Sequence, residues 1–181
     1  MMVSRKQSSA SPSPLLAALV CTLVVVASPS AGASQIGAGR DFGLGVTLGA
    51  PSGVSMKIFL AGQHALDIAV GVGFFGGASF DAHVDYHFYT KPLLRHSHFD
   101  LPLYVGVGGR FNFWFEDGDR HYWGGKSKSG RVGVGVRVPV GVAFHFNKVP
   151  VDFFLEIVPG LGVVPGVGVH LDGAIGARYF F

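Results

Sequence analysis

The sequence predicts an all-β chain that closes into a transmembrane antiparallel up-and-down β-barrel of eight strands. Three observations predict it. Apolar residues recur at every second position over long stretches, the period of a strand whose two faces meet different surroundings. The intervening positions hold glycine, alanine and charges of both signs rather than a water-facing mixture rich in lysine. Beyond residue 33 no apolar run reaches the roughly 20 residues that a membrane-spanning helix requires.

Composition bounds the reading first. A chain of 181 residues suits one domain. With 49% apolar, 13% aromatic and 14% charged residues it is too apolar for disorder and low in charge for a water-soluble surface. Its 28 glycines fall at i, i+2 spacings such as Gly133 and Gly135, which excludes the every-third-residue pattern of collagen and suits strands that bend and pack closely.

Residues 1–33 read as a secretory signal. Arg5 and Lys6 form a positive start, Leu15 to Ala27 an apolar stretch, and Ala31-Gly32-Ala33 a small-residue site, so cleavage is expected before Ser34, leaving 34–181 as the barrel domain. The only cysteine, Cys21, lies in the apolar stretch after Ala18-Leu19-Val20, a poor match to a lipoprotein cleavage box. The mature chain therefore has no disulfide available. Two of the 14 basic residues leave with the signal, so the remainder is near balance against 11 acidic residues, and no nucleic-acid partner is indicated.

Eight strands follow in order. The first, 41–48, ends at Ala50-Pro51-Ser52-Gly53, and the second spans 53–60. The third, 64–75, ends at Gly76-Gly77, and the fourth, 78–89, places Asp81, His83, Asp85 and His87 on one face. The fifth is 101–115. In the sixth, 130–146, Val132, Val134, Val136, Val138, Val140, Val142, Phe144 and Phe146 form one face, opposite Arg131, Gly133, Gly135, Arg137, Pro139, Gly141, Ala143 and His145. Pro139 cannot donate to a ladder, so a bulge or local break is expected there. Asn147-Lys148 turns the chain into the seventh strand, 150–158, and Pro159 to Gly166 leads to the eighth, 167–181.

Composition decides which face points out. The lumen of a small barrel is too narrow for a row of valine and phenylalanine from every strand, whereas small residues and paired charges fit. The polar faces hold Lys57, Arg110, Arg131, Arg137 and Arg178 against Asp67, Asp81, Asp85, Asp152, Glu156 and Asp172, a near balance that suits a lumen of mutually satisfied ion pairs. Phe42, Phe74, Phe80, Phe88, Phe113, Phe115, Phe144, Tyr179 and Phe181 cluster toward strand ends, as girdles at two membrane interfaces would. The soluble alternative is a lipocalin-like barrel with the valine face inward. It would give water a glycine-rich, lysine-poor surface.

The end of the chain, Leu171-Asp172-Gly173-Ala174-Ile175-Gly176-Ala177-Arg178-Tyr179-Phe180-Phe181, resembles the terminal strand of bacterial outer-membrane proteins. In that family this end is what the barrel-assembly machinery reads, and Ile175, Tyr179 and Phe181 match its pattern. Across residues 34–181 the size and strand count resemble the outer membrane protein A and X class of small barrels. The strings Gly43 to Leu60, Leu101 to Phe113, Arg131 to Phe144 and Val151 to Pro159 resemble a spirochaetal-type family of small surface barrels. The resemblance implies a Gram-negative outer-membrane location among lipid and lipopolysaccharide, and it implies neither a cofactor nor an agreed enzymatic role.

Other constellations compete with this reading. Asp81, His83, Asp85 and His87 stand about 6–7 Å apart along one strand face, a spacing open to metal ligation, but a ladder pairing with neighbouring arginines is the expectation. His96-Ser97-His98 with Asp100 supplies a nucleophile, a base and a carboxylate by name, yet adjacent residues rarely aim at one centre. Gly125-Lys126-Ser127 lacks the earlier glycine of a phosphate loop, since Arg120 stands there. The connection 116–129 carries Arg120, His121, Tyr122, Trp123, Lys126 and Lys128, aromatics beside cations as in binding surfaces and interface anchors, and is expected outside the cell. Residues 90–100 and Asn147-Lys148 are expected in the periplasm. The expected role is structural or surface-interacting, without enzyme activity. Its rivals are a narrow porin-like channel and a lipid A-modifying enzyme.

Overall fold

Every second residue of this chain seeks a different neighbour from the one before, and over the described residues the backbone answers with strands. The computed structural model describes residues 41–60, 62–73, 78–115 and 130–181. Residues 1–33, read above as a signal, together with Phe74 and the expected turn at Gly76-Gly77, lie outside the described residues.

Among the described residues nine strands are present: β1 Phe42–Gly49, β2 Ser52–Phe59, β3 His64–Gly73, β4 Ser79–Arg95, β5 Phe99–Trp114, β6 Val132–Arg137, β7 Val140–Phe146, β8 Val151–Val164 and β9 Gly168–Phe180. Every pairing is antiparallel and follows the order of the strands in the chain, with β6 and β7 sharing one place between β5 and β8, and β9 returns to pair with β1 from Gly43↔Phe180 to Gly49↔Ala174, so the single sheet closes as a ring. Closure leaves no sheet edge running the length of the ring. Both chain ends of this unit and the turns near residues 62, 97 and 148 lie at one end, here the terminal end. The turns near 50 and 166, the end of β3 with the start of β4, and the end of β5 with the start of β6 lie at the other, the loop end.

The expected break at Pro139 is what divides the sixth strand into β6 and β7. Both halves pair with β5 on one side and β8 on the other, so eight staves make the ring. The gap is bridged by Gly106 N donating to Pro139 O at 2.8 Å and Val138 N donating to Pro159 O at 2.9 Å. Alternation survives the break: Val136 and Val140 are exposed while Arg137, Pro139 and Gly141 are buried. The valine face is therefore the outer one.

Two connections differ from expectation. Residues 90–100 are not a loop, because β4 continues to Arg95 and β5 begins at Phe99, with Arg95↔Asp100 still in register. Register shifts at Pro92, which faces Pro102, break the two-residue rhythm there and hide the strand from a periodicity reading. Likewise β8 runs on to Val164 through Pro159 and Gly160, residues that signal a turn locally but are held by β9 at Pro159↔Leu171 and Gly160↔His170.

The interior is filled in layers. At the terminal end Phe59, Ala65, Tyr89, Tyr104, Ala143 and Phe180 form a buried apolar cluster, with Phe59–Phe180 and Phe59–Tyr89 ring centroids both 5.5 Å apart. Large inward side chains lie over glycines directly across the ladder, Tyr104 over Gly141 and His87 over Gly106. A Cβ at Gly141 would sit 2.4 Å from the Tyr104 ring and 2.7 Å from Leu155 O, and the backbone oxygen cannot yield. Gly141→Val should therefore destabilise by about 1–3 kcal/mol through overpacking. Urea unfolding of detergent-folded protein reads this as an earlier midpoint, and an unchanged midpoint would refute the close approach.

Candidate functional site

Above the aromatic cluster the inward faces of seven staves bring the ionisable residues together. The strand period puts them there: Asp81, His83, Asp85, His87 and Tyr89 share one parity on β4, and Tyr104, Arg110, Asn112 and Trp114 share one on β5.

Lys57 uses all three of its ammonium protons. It lies 3.0 Å from Asp67 Oδ2 and donates to Tyr89 Oη at 2.6 Å and to His87 Nδ1 at 3.3 Å. Its charge also stands 4.9 Å from the Tyr104 ring centre. Arg178 donates from Nε to Ser55 Oγ at 2.8 Å and from Nη2 to Asp67 Oδ2 at 2.6 Å, with Nη1 3.8 Å from Asp152 and the Phe154 ring centre 3.8 Å away. This pair ties β9 to β3 across two intervening staves.

Arg137 is the third hub and is 1% exposed. Its Nε lies 3.1 Å from Asp85 Oδ2, its Nη2 donates to Glu156 Oε1 at 3.2 Å, and its Nη1 donates to His83 Nδ1 at 2.6 Å. A guanidinium only donates, so His83 holds its proton on Nε2. Tyr104 donates to the other oxygen of Glu156 at 2.8 Å. Asp67 and Asp85 face each other directly across β3 and β4, a repulsive pairing that Lys57, Arg178 and Arg137 together offset.

Nearer the loop end Arg110 joins Asp81 at 2.9 Å and also Asp172, while Asp81 accepts from Ser79 at 3.1 Å and from Asn112. Among the described residues, each of Lys57, Arg110, Arg137 and Arg178 lies within 4 Å of a carboxylate, and each of Asp67, Asp81, Asp85, Asp152, Glu156 and Asp172 lies within 4 Å of one of these cations. Arg131 departs from expectation. It sits exposed at the loop-end rim, donating to Trp114 O and Phe115 O at 3.4 and 3.1 Å, because β6 begins one residue later and the stave carries it past the buried layers.

The four residues read as a possible metal face are all turned inward and engaged by cations: Asp81 by Arg110, His83 and Asp85 by Arg137, and His87 by Lys57. The sequence reading missed Tyr89, Tyr104, Ser55, Asn112 and Phe154 as members of the network. Parity was the available signal, since each shares its strand face with a charge the reading named.

Ile175, midway along β9, and Tyr179 and Phe181, at the terminal end, point outward and are exposed, and Phe181 N donates to Phe42 O at 2.9 Å where the last strand meets the first. The aromatics expected as girdles divide the same way: Phe42, Phe144, Tyr179 and Phe181 are exposed toward this end, and Phe80 and Phe115 toward the other. The proposed binding connection with Arg120, His121, Tyr122, Trp123, Lys126 and Lys128, and the Gly125-Lys126-Ser127 string, lie outside the described residues.

The hairpin tip corrects one expectation. Ser97 Oγ and His98 Nδ1 are 2.9 Å apart, and His98 Nδ1 and His96 Nδ1 are 3.4 Å apart, so adjacent residues do converge. The turn curls their side chains onto one side. Asp100 is instead held in the ladder opposite Arg95 and His145.

No curated protein and no solved structure matches this chain at a significant level. One family does, described only as a protein of unknown function, DUF3996, and the match covers residues 33–175. That span takes in strands β1 to β8 and most of β9, together with every interior charge except Arg178. The chain belongs to the DUF3996 family.

Proposed function

We propose that this chain is an integral outer-membrane β-barrel protein with a structural or surface-interaction role and a lumen closed by paired charges above an aromatic plug. One observation carries the reading: the distribution of residues is inside out. Lys57, Asp67, Asp85, Arg137, Asp152 and Arg178 are buried, while Leu44, Val46, Val84, Val107, Val136, Leu155, Ile157 and Ile175 stand on the outer face. A water-soluble chain of this size hides its valines and exposes its lysines. An outer face of this kind finds its natural solvent in hydrocarbon.

Ring closure supports the same reading, because every stave finds hydrogen-bond partners on both sides, as a bilayer interior demands. The filled interior favours a closed lumen over a porin-like channel, and no catalytic role forms part of this reading. In this orientation the terminal end lies in the periplasm and the connection 116–129 outside the cell, where Trp123, Tyr122, Lys126 and Lys128 supply aromatic and cationic groups suited to lipopolysaccharide or an extracellular ligand. The outward Ile175, Tyr179 and Phe181 of the closing strand supply the face that the barrel-assembly machinery would read.

Cell fractionation with heat-dependent gel mobility tests this. Expected are recovery with the outer membrane, slower migration only after boiling, and trypsin cleavage of intact cells confined to the region of Arg120 to Lys128. Recovery in a soluble fraction without a mobility shift would defeat the reading.

A further inference from the structure

The hairpin of β4 and β5 ends in His96-Ser97-His98 at the terminal end of the ring, and the interior network uses none of these residues. We propose that this tip is a binding site for one borderline transition-metal ion of the zinc class, ligated through Nδ1 of His96 and Nδ1 of His98. The two nitrogens stand 3.4 Å apart. Two imidazole nitrogens bound to tetrahedral zinc at about 2.0–2.1 Å are separated by about 3.3–3.4 Å, so the free pair already spans the edge of that polyhedron.

The backbone of the tip is held in place, and the His98 ring stacks on the His96 ring with centroids 5.3 Å apart. Arg95↔Asp100 closes the ladder beneath the turn, and His96 N donates to Phe99 O at 2.9 Å. Asn147, from the neighbouring turn between β7 and β8, clamps the tip twice: its side chain donates to His96 O at 3.1 Å and its backbone N to His98 O at 3.0 Å. The His96 ring stacks on Phe99 with centroids 5.5 Å apart. Nδ1 of His98 also meets Ser97 Oγ at 2.9 Å, which places a hydroxyl beside the ion.

Preorganisation of this kind has a chemical meaning. Two facing Nδ1 atoms cannot both carry a proton, so without metal one donates to the other. The ion takes that proton's place: both rings stay neutral with their protons on Nε2, and water fills the remaining positions. Imidazole pairs suit zinc, copper and nickel, whereas magnesium and calcium prefer oxygen donors. Among the described residues no three histidine, cysteine, aspartate or glutamate side chains converge. The site is thus a two-imidazole site, exposed and open to a further ligand. It rests on the hairpin geometry alone and is independent of membrane insertion.

The test uses tag-free, folded protein and Zn2+ alone. Titration calorimetry should find one equivalent bound by the unmodified chain and none by His96→Asn/His98→Asn. Asn147→Ala, which removes the clamp and no ligand, should weaken binding by about tenfold or more. In the unmodified chain, Zn2+ should also protect His96 and His98, but not His64, from diethyl pyrocarbonate, which needs no variant to fold. Failure of the unmodified chain to bind, full binding by the double variant, or equal reactivity of His96 and His98 with and without Zn2+ would overturn the proposal.

Discussion

Arginine at Val136 is expected to block assembly, at a cost of about 2–4 kcal/mol if the residue meets lipid near the bilayer centre. Val136 is 48% exposed on the outer face, and its ladder neighbours Gly109 and Leu161 share that face, so no polar group lies beside it to receive the charge. It stands four residues in from Val132 at the loop end of its stave and ten from Phe146 at the terminal end. The same substitution one residue earlier tests a different physics. Gly135 is buried and faces inward, and a Cβ there would meet Leu161 O at 2.7 Å. Gly135→Arg should therefore fail by crowding, in detergent and lipid alike, whereas Val136→Arg should fold better in a thin or dynamic detergent shell than in a bilayer. The fraction showing heat-modifiable mobility measures both. Normal bilayer assembly of Val136→Arg would mean that the valine face does not meet hydrocarbon.

The faces of the strands were legible because their period holds for many residues at a time. The stretch from Val132 to Phe146 keeps one parity through a proline, and the composition of the two faces, taken over all the strands, chose outside from inside. Pro139 was legible too, as the loss of a single donor has a local consequence. What escaped the sequence depends on relations between strands. Tyr89, Tyr104 and Phe180 are aromatic residues near strand ends, which describes a girdle residue equally well, and only their parity turns them inward to form the plug. The long hairpin to Arg95 and Asp100 was hidden because Pro92 and Pro102 interrupt the alternation on both strands together. Which charges meet was not legible at all. Arg178 and Asp67 are 111 residues apart, and their contact follows from the stagger of the closed ring. Arg131 shares the face of Arg137, but height along the stave places one at the rim and the other in the buried layer.

Arg137→Ala is expected to be the most damaging single change, destabilising by about 3–5 kcal/mol, since it strips one cation from two carboxylates that remain buried. Asp85 loses its closest cation, Glu156 keeps, among the described residues, the Tyr104 hydroxyl, and His83 loses the donor at its Nδ1. The repulsion between Asp85 and Asp67 across β3 and β4 is then offset only from the Asp67 side, by Lys57 and Arg178. Removing charge rather than restoring it should therefore rescue: Asp85→Asn in the Arg137→Ala background is expected to recover part of the loss, which unfolding in urea would read as a later midpoint. The same substitution reports on the lumen. Arg137 reaches from β6 toward β4 and β8 and fills the layer above the aromatic cluster, so its truncation opens space lined by acids. Small, flickering, cation-preferring currents are expected from Arg137→Ala in planar bilayers, against a silent unmodified protein. The aromatic plug of Phe59, Tyr89, Tyr104 and Phe180 still lies below the new space, which is why the currents should be small. Large and steady conductance from the unmodified chain would mean that the layered interior does not seal the ring, and the porin-like alternative would then replace the closed lumen.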